Sequence, residues 1–157
     1  MLPVVDIGVG KLQVMGSAGT FVVRGLGACV AVCAYDPENS VAALLHALLP
    51  ASGPMSERIS SEPTTFVDRG VAILLEEIQR VGATISATRI KLVGGAQVMT
   101  GGSLEVGKRN VCAARAVLCG IPIVGEDVGG SIARTVWMDV ATGNVTVQYA
   151  GKPDKIL

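Results

Sequence analysis

The sequence predicts an α+β (mixed α/β) fold in which mixed or largely antiparallel β-sheets are flanked by two main helices. Half of the 157 residues are hydrophobic, whereas 17% are charged and 3% are aromatic, which suits a core of Val, Ala, Leu and Ile. Most apolar segments are short and bounded by Gly or Pro, as strands are. Strands and helices do not alternate as in a doubly wound fold. The length favours one domain, residues 1–157.

The first part of the chain is predicted to be β-structure. Glycines at both sides place residues 11–15 among turns, and strands are predicted at residues 4–9, 20–24, 29–35 and 41–48. The polar turn at residues 36–39 predicts a hairpin between the last two strands, buried on both faces. A helix is the alternative for residues 41–48, because Ala and Leu favour helix.

The second part is predicted to contain both helices. One runs from residue 64 or 65, where a threonine would cap it, to about residue 80. The other runs from residue 107 or 108 to residue 119, where Gly and Pro follow. The remaining predicted strands are residues 88–93, 121–126, 132–139 and 145–149.

Charge and hydropathy exclude several classes of partner. Thirteen basic and 13 acidic residues balance, and no basic stripe marks a nucleic-acid surface. Mean hydropathy is high at +0.53, but prolines and His46 interrupt the longest uncharged stretch, residues 39–56. It therefore lacks the roughly 20 apolar residues of a membrane span. Without a basic N-terminal region that would mark a signal peptide, we expect a cytoplasmic protein with no membrane insertion.

Four cysteines, Cys29, Cys33, Cys112 and Cys119, are candidates for pairing, metal binding or catalysis. A cytoplasmic setting disfavours disulfides, and the spacings C-x3-C and C-x6-C do not match common zinc sites. No Gly-x-Gly-x-x-Gly follows a predicted strand either. We therefore expect no metal and no cofactor, and most of the cysteines are expected to be small buried residues.

Cys29 is the candidate nucleophile because it follows the glycine turn Gly25-Leu-Gly27. Backbone N–H groups of such a turn can lie near the sulfur and can also hold an oxyanion during attack on a carbonyl. The alternative is a small buried residue in an Ala/Val strand. Residue type alone does not separate the two interpretations.

His46 is the only histidine and hence the only imidazole base available to a cysteine nucleophile. Pairing about the predicted turn places His46 opposite Cys29 or Val30, near enough for a Cys–His contact. The alternative is a core histidine with both ring nitrogens satisfied by the backbone.

Five blocks of sequence resemble, in the same order, the CheD family of chemoreceptor glutamine deamidases. They are residues 25–32 followed by His46 near a Leu-Pro, 66–78 with the closing Gly82-Ala83, 91–96, 106–111 and 126–134. The resemblance implies a cysteine hydrolase with a fold similar to bacterial toxin deamidases. Such enzymes convert receptor glutamines to glutamates and can act on receptor methyl esters. The resemblance also implies a CheC-type phosphatase as the usual partner. It implies that the enzyme itself needs no cofactor.

Carried onto this sequence, the resemblance implies that Cys29 is the nucleophile and His46 the general base. The family commonly has a threonine six residues before the nucleophile, where this chain has Val23. Thr20 lies three residues earlier, so only a bulge or register shift would bring it in. A backbone carbonyl, a water or another side chain is left to orient His46. Ala28 stands where the family often has serine.

Two functions therefore remain open from sequence. The first is an active amidohydrolase on receptor glutamines; the second is a catalytically weak binding module that docks on a CheC-type phosphatase or a receptor. Intact Cys29 and His46 favour the enzyme, and Val23 favours the module. The other blocks are interpreted structurally: a tight turn at residues 94–95, a helix cap at residues 109–110, and an ion pair between residues 127 and 134.

Overall fold

The computed structural model describes residues 1–98 and 105–157, without the side chain of Glu57. Its strands are β1 (Val4–Asp6), β2 (Lys11–Gly16), β3 (Thr20–Leu26), β4 (Val30–Asp36), β5 (Val41–Ala47), β6 (Arg89–Gly94), β7 (Ile123–Val128), β8 (Arg134–Asp139), β9 (Val145–Gln148) and β10 (Lys155–Ile156). Its main helices are α1 (Val67–Arg80) and α2 (Val106–Val117). Short 3-10 helices occupy Ser56–Arg58, Pro63–Thr65 and Ile85–Ala87. The predicted α+β class is confirmed.

The strands form two five-stranded sheets, ordered β1-β3-β8-β9-β10 and β2-β5-β4-β6-β7. Each sheet has one parallel pair, β1 with β3 and β6 with β7, and its other pairs are antiparallel. Both sheets are therefore mixed, as the sequence predicted. Among residues 1–98 and 105–157, no helix is long and apolar enough to cross a membrane.

The β4–β5 hairpin lies at the centre of three layers. On one face Val32 and Leu45 pack in a cluster with Leu74 of α1. On the other face Ala31 and Leu44 pack against residues of the first sheet. Alternating side chains of a strand point to opposite faces, so both faces are apolar. The predicted hairpin buried on both faces is confirmed, and residues 41–48 do not form a helix.

The sequence analysis did not predict two of the strands, and it predicted the wrong register for the β4–β5 pair. Residues 11–16, predicted among turns, form edge strand β2 along β5, and residues 155–156 form β10. The hairpin turn holds four residues between Asp36 and Val41, with Ser40 in the left-handed region at φ 53°. The turn is therefore shifted by one residue from the predicted residues 36–39, and this shift sets His46 opposite Ala31, one or two residues away from the predicted partners.

The predicted helix caps were also wrong. Thr64 and Thr65 lie in the 3-10 helix before α1, whose N-cap is Phe66 without a side-chain cap. The Thr64 hydroxyl donates to the carbonyl of Gly10, and the Thr65 hydroxyl pairs with Ser60. Thr64 thus joins the loop to the residue before β2, Thr65 pairs within the loop, and neither caps the helix.

Candidate active site

The loop carrying Cys29 joins β3 to β4 and is fixed through three successive carbonyl groups. The carbonyl of Gly27 accepts from the amide of Ala96 at 2.9 Å, and that of Cys29 accepts from the amide of Gly95 at 2.9 Å. Between them, the Ala28 carbonyl accepts from the side-chain amide of Asn110 at 2.9 Å. With its carbonyls held from the β6 end and from α2, the loop has a defined orientation.

The amide groups of this loop, unlike its carbonyl groups, are not held by backbone hydrogen bonds to described residues. In the described part of the chain, no backbone carbonyl accepts a hydrogen bond from the amides of Gly27, Ala28 or Cys29. Backbone N–H groups without an internal acceptor can bind an oxyanion that forms beside them. Among the described residues, the loop therefore combines a thiol with backbone N–H groups that donate to no backbone carbonyl.

Glycines at residues 94, 95 and 107 permit this packing. A Cβ on Gly94, whose φ is +109°, would lie 2.4 Å from the carbonyl oxygen of Cys29. A Cβ on Gly107 in α2 would lie 2.5 Å from the carbonyl oxygen of Gly95. The glycine pair that the sequence analysis interpreted as a tight turn also allows β6 and α2 to approach the loop that carries Cys29 closely.

His46 is fixed on three sides and is only 4% exposed. Its backbone pairs with Lys11 of β2 and Ala31 of β4. Its ring Nδ1 lies 2.9 Å from the carbonyl oxygen of Ile7. Because a carbonyl only accepts, Nδ1 carries the proton, and Nε2 is the ring atom available as a base.

Cys29 and His46 lie at the same end and on the same face of the β4–β5 hairpin. The ladder ends at the pair Val30–Ala47, and Cys29 is two residues before Ala31, the partner of His46. Such diagonal neighbours have Cα atoms about 7–8 Å apart, within reach of long side chains. The structure gives no hydrogen bond between the thiol of Cys29 and the ring of His46.

Burial keeps both groups neutral near pH 7. It raises the pKa of the Cys29 thiol above its ordinary value of 9.0, and the residue's own backbone N–H opposes this weakly. Burial lowers the pKa of His46 below 6.5, although the Ile7 hydrogen bond and the charge of Asp6 oppose that shift. The resting pair is therefore a thiol and a neutral imidazole, rather than an ion pair.

The position of the family's threonine is occupied by Val23, which is fully buried between the sheets. Thr20 begins β3 and pairs with Val4 and Asp139, six residues along the strand from Leu26. β3 carries one extra residue against β8 between Val23 and Leu26, that is, between Thr20 and Cys29. The group that contacts Nδ1 of His46 is nevertheless the Ile7 carbonyl and not Thr20. Of the orienting groups left open by sequence, the structure supplies a backbone carbonyl, that of Ile7.

A cleft of about 430 Å³ adjoins the loop that carries Cys29. Gly25, Gly27 and Ala28 form one side, and residues including Ala96 and Val98 line the rest. Its volume is in the range of small-ligand sites, and its wall is mainly apolar. A side chain entering here would reach the loop directly before Cys29.

Cys33 is buried as expected, whereas Cys112 and Cys119 differ from the sequence expectation. Cys112 and Cys119 are exposed, and Cys29 is half-buried. All four thiols are free. Because α2 ends at Val117, Cys119 lies beyond the helix that was predicted to include it.

The other sequence blocks have clear structural roles. The predicted ion pair is confirmed: Arg134 Nε lies 3.0 Å from Asp127 Oδ1, and both side chains are buried. The predicted cap at residues 109–110 is wrong, because the N-cap of α2 is Glu105 and no side chain caps the helix. Asn110 instead reaches the carbonyls of Ala28 and Leu48.

Comparison with known proteins identifies the family. The family model described as CheD chemotactic sensory transduction matches residues 48–149. This chain belongs to the CheD family. The matched segment begins just after His46, but pairwise similarity to CheD relatives extends across nearly the whole chain.

Three CheD relatives illustrate that similarity. The chemoreceptor glutamine deamidase CheD of Thermotoga maritima is 36% identical over 152 residues, covering 96% of this chain and 94% of that protein. The probable chemoreceptor glutamine deamidase CheD of Desulforamulus reducens is 35% identical over 159 residues, covering 98% and 95%. That of Thermococcus kodakarensis is 40% identical over 149 residues, covering 92% and 91%.

Two contacts in this CheD site have little or no signal in the sequence. Any residue offers a backbone carbonyl, so the contact from Ile7 to His46 was not predictable from its side chain. Asn110 carried a weak signal, since Asn is a poor helix former yet lies inside α2.

Proposed function

We propose that this protein is a protein-glutamine deamidase that converts glutamine side chains of chemoreceptors to glutamate, with Cys29 as nucleophile and His46 as general base. The observation that carries the proposal is the placement of the two residues at one end of the β4–β5 hairpin, with Nδ1 of His46 held by Ile7. The names of the CheD relatives supply the substrate class.

The proposed reaction begins with the neutral pair. Nε2 of His46 takes the proton of the Cys29 thiol as the sulfur attacks the carboxamide carbon of the substrate. The resulting oxyanion is stabilised by the free amides of the nucleophile loop. The imidazolium returns the proton to the departing nitrogen, and ammonia leaves a thioester. Nε2 then deprotonates a water that attacks the thioester, which yields the glutamate side chain and restores the thiol.

Neutral starting groups suit this sequence of proton transfers. The lowered pKa of His46 keeps Nε2 unprotonated near pH 7, so the ring is ready to accept a proton. The Ile7 carbonyl then stabilises the imidazolium through Nδ1, as an orienting group does in catalytic triads. The catalytically weak binding module was favoured by the valine at residue 23, and the Ile7 contact supplies the orientation that the missing threonine would give.

The setting and partners form part of the same proposal. Residues 1–157 would act as one domain in the cytoplasm, where the cytoplasmic domains of chemoreceptors are accessible. A CheC-type phosphatase is proposed as a binding partner on the strength of the family resemblance. Copurification of the protein with a CheC-type phosphatase tests the proposed binding independently of catalysis.

Ammonia release from a purified receptor cytoplasmic fragment tests the activity. We expect release with the wild type, and none above background with Cys29→Ala or His46→Ala. Cys119→Ala is the matched control, because Cys119 is exposed and lies outside the site. Equal release by wild type and Cys29→Ala would overturn the nucleophile assignment, and no release by the wild type would overturn the proposed substrate.

A further inference from the structure

Asn110 joins the two segments that carry the proposed catalytic pair. Its side-chain nitrogen donates to the carbonyl of Ala28 at 2.9 Å and to that of Leu48 at 3.0 Å. Ala28 directly precedes Cys29, and Leu48 follows His46 by two residues. One buried amide of α2 therefore contacts both segments beside the site.

This bridge lies where the backbone ladder has ended. The last β4–β5 pair is Val30–Ala47, and beyond it the amide of Leu48 turns to the carbonyl of Thr65. Without ladder bonds, the two segments have no direct backbone link at this point. The two N–H groups of the Asn110 amide supply the link from outside the hairpin.

The environment of Asn110 indicates that its role is to donate its two side-chain N–H groups to the carbonyls of Ala28 and Leu48. The residue is fully buried, and its Oδ1 has no hydrogen-bond partner among the described residues. A buried acceptor without a partner is unfavourable, and Asn is a poorer helix former than Ala or Leu. An apolar residue would remove the unpaired Oδ1 but would also leave the carbonyls of Ala28 and Leu48 without this donor. A link between two carbonyls requires a side chain with two donors.

We infer that Asn110 is a positioning residue that sets the separation of Cys29 and His46. This inference rests on the proposed function, since it assumes that the two residues act as a pair. Asn110 does not line the cleft beside the loop, so it acts through the backbone of residues 28 and 48 rather than on the substrate. Small displacements between reacting groups are enough to slow a proton transfer strongly.

The pH dependence of Cys29 alkylation by iodoacetamide, measured for each cysteine by mass spectrometry, tests the inference without any substrate. We compare the wild type with His46→Ala, Asn110→Leu and their double variant. Leu has a similar volume and removes both donors together with the unpaired Oδ1. Leu118→Ala is the matched control, because it opens a cavity in the buried core at the other end of α2.

We expect Asn110→Leu to slow alkylation of Cys29 near neutral pH about 10- to 100-fold and to give it the pH profile of His46→Ala. The double variant should be no slower than either single one. Leu118→Ala should keep the wild-type profile despite its lower melting temperature. If Asn110→Leu does not fold, Asn110→Ala is assessed in the same way.

Wild-type alkylation in both Asn110 variants would overturn the positioning role. If His46→Ala slows alkylation and the Asn110 variants do not, this inference fails while the Cys–His pair stands. If His46→Ala leaves the rate unchanged, the pair itself fails, and the inference fails with it. With a receptor peptide, we further expect Asn110→Leu to lower kcat and leave KM unchanged.

Discussion

His46 donates from Nδ1 to the carbonyl oxygen of Ile7 at 2.9 Å, and this contact fixes the tautomer of the ring. Ile7 is itself held, because its amide donates to the carbonyl of Val22 in β3. The orientation of the imidazole thus depends on how the segment after β1 packs on the first sheet. A change in that segment would reach the ring without altering any side chain of the site.

The first prediction concerns the resting state of Cys29. Since burial raises its pKa above 9.0 and lowers that of His46 below 6.5, we expect no Cys29 thiolate near neutral pH. The measurement is the ultraviolet absorbance of the thiolate, taken as the difference between wild type and Cys29→Ser during a pH titration. Thiolate absorbance that appears below pH 6.5 would indicate an ion pair and contradict this assignment.

A second prediction concerns the effect of His46 on the pH dependence of the free energy of unfolding. The folded-state pKa of His46 is lowered, so the unfolded chain binds the proton more readily. The free energy of unfolding should therefore fall as the pH drops below 6.5, until the folded-state pKa is reached. Chemical denaturation at several pH values measures this, with His46→Asn as the comparison. An equal fall in His46→Asn would exclude His46 as its source.

A third prediction concerns Gly94, which packs against the loop that carries Cys29. Gly94→Ala should displace Cys29 and abolish most activity, because the new Cβ would lie 2.4 Å from the Cys29 carbonyl oxygen. Gly82→Ala is the matched control, since Gly82 has a similar φ of +119° but no atom within 4 Å of a built Cβ. Activity per folded molecule separates the two variants. Equal losses would show that backbone strain alone explains the effect.

A fourth prediction concerns the buried ion pair between Asp127 and Arg134. Burial disfavours the Asp127 carboxylate, but Tyr149, Lys155 and Arg134 outweigh it and lower its pKa. Asp127→Ala would leave the Arg134 charge buried and should lower the free energy of unfolding by about 3–5 kcal/mol. Asp6→Ala removes an exposed partner of Arg24 and should cost at most about 1 kcal/mol. Urea denaturation of both variants measures the difference, and similar values would contradict the buried pair's role.

Much of the fold was predictable because its signals are local. The polar turn after residue 35 and the flanking apolar runs predicted the central hairpin, which has His46 on β5 and Cys29 directly before β4. The register was not predictable, since the polar residues do not show where the turn begins: Asp36 belongs to β4, and Ser40 belongs to the turn. β2 was missed because glycines flank it and exposed Lys11 and Gln13 alternate with half-buried residues, so it lacks a continuous apolar run.

The site was predictable only as far as its side chains carry chemistry. Cys29 and His46 stand out by residue type, and the family resemblance gave them roles. The supporting contacts depend on tertiary packing: the Ile7 carbonyl, the Asn110 amide and the close approach at Gly94 join segments far apart in sequence. Such contacts have no local pattern, so only the folded arrangement reveals them.

Mass spectrometry of a chemoreceptor cytoplasmic fragment after incubation with the protein tests the central claim most directly. We predict that the wild type and Cys119→Ala convert specific glutamines to glutamates, whereas Cys29→Ala leaves every glutamine unchanged. Conversion of the same glutamines by Cys29→Ala would contradict the claim that Cys29 is the nucleophile.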